Sequence, residues 1–168
     1  FLCYVATMAI PWQVYMLPQY SMMNEMHLVD THTGYVLMQA CSAFGVFLMR
    51  QFFISLPNEL LEAARIDGLS EYGIFAKIAL PLSKASISTL VIFTFVTIWN
   101  DYMGPMIYFN TETKKTLQLG VRMFIGQYST EYGLVFAASV LSLIPVLIIF
   151  LLGQKQFVQG IASSGIKG

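Results

Sequence analysis

Two clusters of side chains in this sequence could do work. The first is Glu62-Ala63-Ala64 with Asp67 and Gly68, followed at wider spacing by Ile78, Leu80 and Pro81. Carboxylates beside two methyl-sized side chains suit a seat for another protein. The small residues allow close approach, and the carboxylates offer acceptors to donors on the partner. The second cluster is Trp99-Asn100-Asp101, an indole, an amide and a carboxylate in succession inside an apolar run. Such a trio suits a sugar, whose hydroxyls pair with the polar groups while the ring covers its C–H face. An Asp that is hydrated near an interface, or paired with a neighbouring helix, gives the same sequence. His27 and His32 lie near Glu25 and Asp30, where zinc is conceivable; a solvated loop accounts for them, and no metal is expected. The chain contains no phosphate loop of the form G-x-x-x-x-G-K-[ST], no nucleophile elbow and no paired-histidine zinc helix. No catalytic residue and no cofactor are therefore expected.

The elements that must position these clusters are apolar. The chain is 57% hydrophobic and 11% charged, against roughly 25% charged in an average soluble domain. Charge is absent between Asp30 and Arg50, between Lys84 and Asp101, and between Glu131 and Lys155. About 20 apolar residues are needed for a helix to cross the hydrocarbon core. Four segments meet that length: about 1–22, interrupted by Pro11 and Pro18; about 33–53; about 85–108; and about 132–152. The expectation is an all-α polytopic membrane bundle of about four spans. Small residues such as Ala40, Ala43 and Gly45, or Gly133, Ala137, Ala138 and Ser142, let its helices approach closely. Gly104-Pro105 and Pro145 predict bends in the third and fourth spans.

Four spans put 24–33 and 110–131 on one side and 50–84 and 154–168 on the other. Arg50, Arg65, Lys77, Lys84, Lys155 and Lys167 belong to the second set, against Lys114, Lys115 and Arg122 in the first. The positive-inside bias places the second set, with the C-terminus, in the cytoplasm. Tyr102, Tyr108, Phe109, Tyr128 and Tyr132 gather near the proposed outer ends, where amphipathic rings favour the interface. The net charge of zero gives no field for nucleic acid. Cys3 and Cys41 are expected to be inert core thiols. Phe1 opens the chain within an apolar run lacking a basic leader, which predicts a fragment whose beginning is missing.

Residues 55–82 lie on the cytoplasmic side and predict two short helices. Ser55 can cap, Pro57 suits a first turn, Glu59 and Glu62 favour the positive end of the dipole, and Gly68 supplies a left-handed stop. A second helix begins after Ser70, with Glu71 in its first turn, and ends at Pro81. An amphipathic helix lying on the membrane surface is the plainer reading of the same residues.

The spacing of Glu62-Ala63-Ala64, Gly68, Ile78 and Leu80-Pro81 resembles the EAA loop of binding-protein-dependent ABC permeases. Seven fixed residues match a given start by chance on the order of 10⁻⁸ at average usage. The likeness extends along nearly the whole chain and is strongest to the carbohydrate-uptake branch. Residues 43–53, Trp99-Asn100-Asp101, 154–160 and Gly165-Ile166-Lys167-Gly168 carry it. Such permeases usually have six spans, which implies that two are absent here. The resemblance implies a permease subunit of an ATP-driven sugar importer in a prokaryotic cytoplasmic membrane. Its partners would be an ABC ATPase dimer seated on 55–82, a like or unlike second permease subunit, and a solute-binding protein outside, reached through the loop that contains Leu28 to Thr31. The tail 154–168 would point towards the ATPase. Two other classes fit the residues alone. One is an ion-gradient-driven transporter or channel using Asp101; the other is an intramembrane enzyme, for which no paired catalytic constellation is present.

Overall fold

In a computed structural model, the structure describes residues 1–126 and 131–165, and the side chains of all of these except 155–165. Among them the chain is helical and contains no β-strand. The elements in order are α1 (Leu2–Ala6), α2 (Trp12–Glu25), α3 (His32–Gln39), α4 (Ala43–Ile54), α5 (Asn58–Ile66), α6 (Glu71–Ile74), α7 (Leu80–Leu82), α8 (Lys84–Trp99), α9 (Met103–Tyr108), α10 (Leu117–Met123) and α11 (Tyr132–Gly165). Two 3₁₀ turns, Thr7–Ala9 and Glu112–Lys114, and one π turn, Phe75–Ala79, complete the described set.

Among the described residues, α11 alone is by length and composition able to cross a membrane as one helix, through Tyr132–Gln154. Counting α3 with α4, and Glu71–Leu82 with α8, as broken spans raises the number to three. The segment 1–22, expected as one span, is divided. Pro11 bars its predecessor from the helical region, so Ile10 is extended at φ −86° and ψ 114°, and α2 begins afresh after Pro11. The segment 85–108 is divided too, although not at the bend that Gly104-Pro105 predicts. α8 stops at Trp99, and Gly104 and Pro105 fall in the first turn of α9, where a missing amide hydrogen costs nothing. Pro145 lies within α11, and that helix continues past Gln154 to Gly165. The expected tail is thus helical in its backbone over that stretch. Residues 166–168 and Tyr128 lie outside the described residues.

Residues 1–43 with 95–149 form one compact unit, and 44–94 with the chain from 150 onward form another. The core of the first is aromatic: Met23, Tyr35, Tyr108 and Phe109 are buried, with Trp12, Tyr20 and Ile98 packed against them. Ring centroids of Tyr20 and Tyr108 are 5.7 Å apart, and those of Tyr35 and Phe109 are 5.3 Å apart, in tilted contacts that avoid the disfavoured face-to-face sandwich. In the second unit Phe44 meets Phe93 edge-on at 5.6 Å, and Phe53 meets Phe75 at 6.0 Å. Ser83 is fully buried there and satisfied, its hydroxyl donating to Leu80 O at 2.8 Å. Cys3 and Cys41, expected in the core, are exposed, because the apolar pieces that carry them are left uncovered by the rest of the chain.

Candidate functional site

The 55–82 loop is built from local rules. α5 starts at an extended Pro57 that offers no side-chain cap, while the Ser55 hydroxyl, expected to cap, instead donates back to Phe52 O at 2.7 Å. At the other end Gly68 takes φ +82°, a conformation that strains any residue with a Cβ. The Gly68 amide donates to Arg65 O and the Leu69 amide to Ala64 O, both at 3.0 Å, which satisfies the last carbonyls of α5. Ser70 then caps α6 by accepting the Gly73 amide at 3.2 Å. Across the elbow the Arg65 guanidinium grips Glu71 with two bonds, Nε to Oε1 at 2.8 Å and Nη2 to Oε2 at 3.3 Å. That fork holds the Glu71 carboxyl below its usual range and raises Arg65 above its own.

The sequence predicts that Pro81 ends the second helix, yet the chain stays helical through it. Pro81 has no amide hydrogen to donate one turn back, and the preceding residues widen into the π turn Phe75–Ala79 rather than stop. The break comes at Ser83, where the chain turns through 70° into α8.

Of the residues singled out from sequence, Glu62, Ala63, Asp67 and Gly68 are exposed on this loop, as are Leu80 and Pro81; Ile78 is half-buried. Ala64 is different: at 4% exposure it packs inward, as does Ile74 at 4%. The two alanines therefore do not share a face. Sequence reasoning missed Ile66 and Tyr72, whose apolar side chains stand 87% and 89% exposed on either side of the elbow. The signal existed. Ile66 lies two residues past Ala64, about 200° round the helix from the buried side and on the face of Glu59 and Glu62.

In the other unit a cavity of about 380 Å³ is lined chiefly by rings: His32 and Tyr35 from α3, Phe95 and Trp99 from α8, and Phe109, with Leu117 closing one side. Phe95 stacks on Trp99 at 5.6 Å with 13° between planes, and His32 tilts over Phe109 at 5.2 Å. The three residues expected on a solute path part company here. Trp99 lines the cavity and anchors its indole hydrogen on Ser142 O at 2.9 Å. Asn100 is exposed, donates to Val96 O at 2.9 Å and accepts from Gln118 Nε2 at 3.3 Å. Asp101 is engaged by the Tyr35 hydroxyl at 2.5 Å and the Gly104 amide at 3.1 Å. Tyr35 and Gln118 had no sequence signal, being joined to the trio only through the fold.

Asp30 also differs from the solvated loop residue expected. It holds φ +58°, and its carboxylate accepts the Asn110 amide at 3.0 Å, the Thr111 amide at 3.1 Å and the Thr111 hydroxyl at 2.6 Å. Lys114 Nζ reaches both the Asp30 carbonyl at 2.5 Å and its carboxylate at 3.2 Å. These donors, those of Thr111 first, hold the carboxyl well below the usual carboxylate range. The two loops predicted to share one side of the membrane are thus stapled together. Among the described residues no group of three metal-binding side chains occurs.

Comparison with known proteins adds an independent line. The family described as "Binding-protein-dependent transport system inner membrane component" matches residues 1–163. The chain is 35% identical over 168 residues to the arabinooligosaccharides transport system permease protein AraQ of Halalkalibacterium halodurans, covering 100% of this chain and 60% of that protein. It is 39% identical over 160 residues to the sn-glycerol-3-phosphate transport system permease protein UgpE of Yersinia pestis, covering 94% and 57%. Among solved structures, a chain of a bacterial ABC transporter involved in the import of the acidic polysaccharide alginate superposes with a TM-score of 0.74 at 30% identity. That match covers 84% of this chain and 55% of the other. This chain thus spans about 60% of the length of the curated relatives it matches.

Proposed function

The chain belongs to the family of binding-protein-dependent transport system inner membrane components, and on that premise we propose that it is a permease subunit of an ATP-driven importer whose solute is a sugar or sugar-like molecule. It contributes part of the solute path and receives the stroke of a separate ATPase dimer through residues 55–82. The observation that carries this reading is the braced elbow. A motor can push a membrane helix only through an element too stiff to fold away under load. Here the glycine turn, the Ser70 cap and the Arg65–Glu71 fork oppose collapse of the elbow, while Glu62, Ala63, Ile66 and Asp67 face outward. In that role the exposed carboxylates meet donors on the ATPase, and Ile66 and Tyr72 fill apolar sockets in it.

A sugar is favoured by the ring-lined cavity, whose Trp99 and Leu117 are the chain neighbours of the hydrogen-bonded Asn100 and Gln118, and by the arabinooligosaccharides named for one relative. Trp99 and Asn100 are the residues we assign to the solute. An ion-gradient mechanism draws no support from Asp101, whose two oxygens already accept hydrogen bonds. In this reading a second permease subunit completes the path, a solute-binding protein docks on the stapled outer loops, and the C-terminus is cytoplasmic in a prokaryotic cytoplasmic membrane. The test is transport in vesicles together with recovery of the ATPase on affinity purification. Glu62→Lys and Gly68→Val should abolish uptake and weaken ATPase recovery while membrane insertion is unchanged. Full uptake and full recovery in both variants would overturn the proposal.

A further inference from the structure

Asp101 sits just past the end of α8, and its two oxygens point to different elements. Oδ1 accepts the Gly104 amide at 3.1 Å and so closes the first turn of α9. Oδ2 accepts the Tyr35 hydroxyl at 2.5 Å, from α3. Tyr35 accepts in turn from Gln39 Nε2 at 3.3 Å. The joint admits only glycine at 104, where a Cβ would lie 2.5 Å from Asp101 Oδ2 and 2.8 Å from the Tyr35 hydroxyl. A helix interrupted among apolar residues must satisfy the backbone groups that the interruption frees, and this carboxylate does so while binding a second helix.

We propose that Asp101 is a positioning residue and not a solute contact: with Tyr35 and Gly104 it forms a latch that fixes the α8–α9 break and thereby sets Trp99 against the cavity. The energetics favour a latch over a loose pairing. A carboxylate binds a hydroxyl more strongly than a neutral acceptor does, and both of its oxygens are already engaged by groups of this chain. Trp99 is two residues from the joint, with Phe95 stacked on it, so the break sets the direction of the aromatic wall. Tyr35 contributes twice, since its ring lines the same cavity that its hydroxyl helps to shape. The latch concerns this chain alone and does not depend on what, or whether, the complex transports.

Hydrogen exchange read by mass spectrometry tests it on the full-length subunit in its native complex, with no added solute. Tyr35→Phe removes one oxygen and leaves the ring, so the variant keeps its packing. Exchange in the peptide covering residues 99–106 should accelerate on the order of tenfold, as expected for loss of a hydrogen bond to a charged group. Asp101→Asn should do the same, the double variant should go no further than Asp101→Asn alone, and the peptide covering 58–66 should not change. A silent Tyr35→Phe, additive effects of the two substitutions, or acceleration in both peptides together would each overturn the latch. Loss of uptake on Asp101→Asn with normal uptake and exchange in Tyr35→Phe would return Asp101 to the solute path.

Discussion

Asp30 and Asp101 both flank apolar runs, and the fold uses each as a fastener. Asp30 gathers four donors from residues 110–114, while Asp101 joins Tyr35 to Gly104. Sequence left Asp101 either hydrated or paired and read Asp30 as a solvated loop residue; it could name no partner for either, because Asn110 is 80 residues from Asp30 and Tyr35 is 66 from Asp101. One local hint was available at Asp30, since aspartate is among the few residues that tolerate positive φ. The staple carries a pH signature. A carboxyl whose folded pKa is depressed contributes stability above its unfolded value, and that contribution fades as pH falls through the folded one. Asp30→Asn should therefore lower the thermal midpoint of the purified complex at neutral pH. The gap to the wild type should close only on acidification below the usual carboxylate range. A gap that is independent of pH, followed by scanning fluorimetry across a pH series, would show that the charge is not what matters.

The turn chemistry of the 55–82 loop was legible because glycine and serine act locally. Gly68 as the stop of α5 and Ser70 as the start of α6 are both where the residue types put them. What was not legible is how a helix accommodates proline. Pro81 is absorbed by a π turn, and Pro105 by the start of a new helix, since the cost of a missing donor depends on which turn it falls in. At Gly68 no atom lies within 4 Å of the point where a side-chain methyl would sit, so the cost of a side chain there is conformational alone, about 1–2 kcal/mol. Gly68→Ala should loosen the elbow by that amount and lower ATPase affinity about tenfold, while Gly68→Asn, which tolerates the left-handed region, should recover part of the loss. Titration of the ATPase against the complex in detergent measures both. Ser70→Ala should cost about 1 kcal/mol at the same elbow by removing the cap. Equal affinity in all three variants would mean that the loop is held by its partner and not by its own turns.

Across the whole chain, composition was enough to give the class. Charge-free runs mark where the apolar helices fall, and the chain is helical throughout its described residues apart from short connections. The interruptions were harder, because an apolar run looks the same whether or not its backbone is continuous; the one at 100–102 depends on a tyrosine supplied by α3. α11 shows the opposite case, a span that needs nothing from its neighbours to be recognised. Hardly any of its Tyr132–Gln154 stretch is covered by the rest of the chain, and Val140, Leu141, Leu147 and Leu151 all stand exposed. Alkaline carbonate washing of membranes should accordingly leave the protein in the pellet, and release into the supernatant would contradict a spanning α11. Stripped of lipid or detergent, that greasy rod would have only other copies of itself to dissolve in. Precipitation, more than loss of helix, is how this subunit would fail in plain buffer.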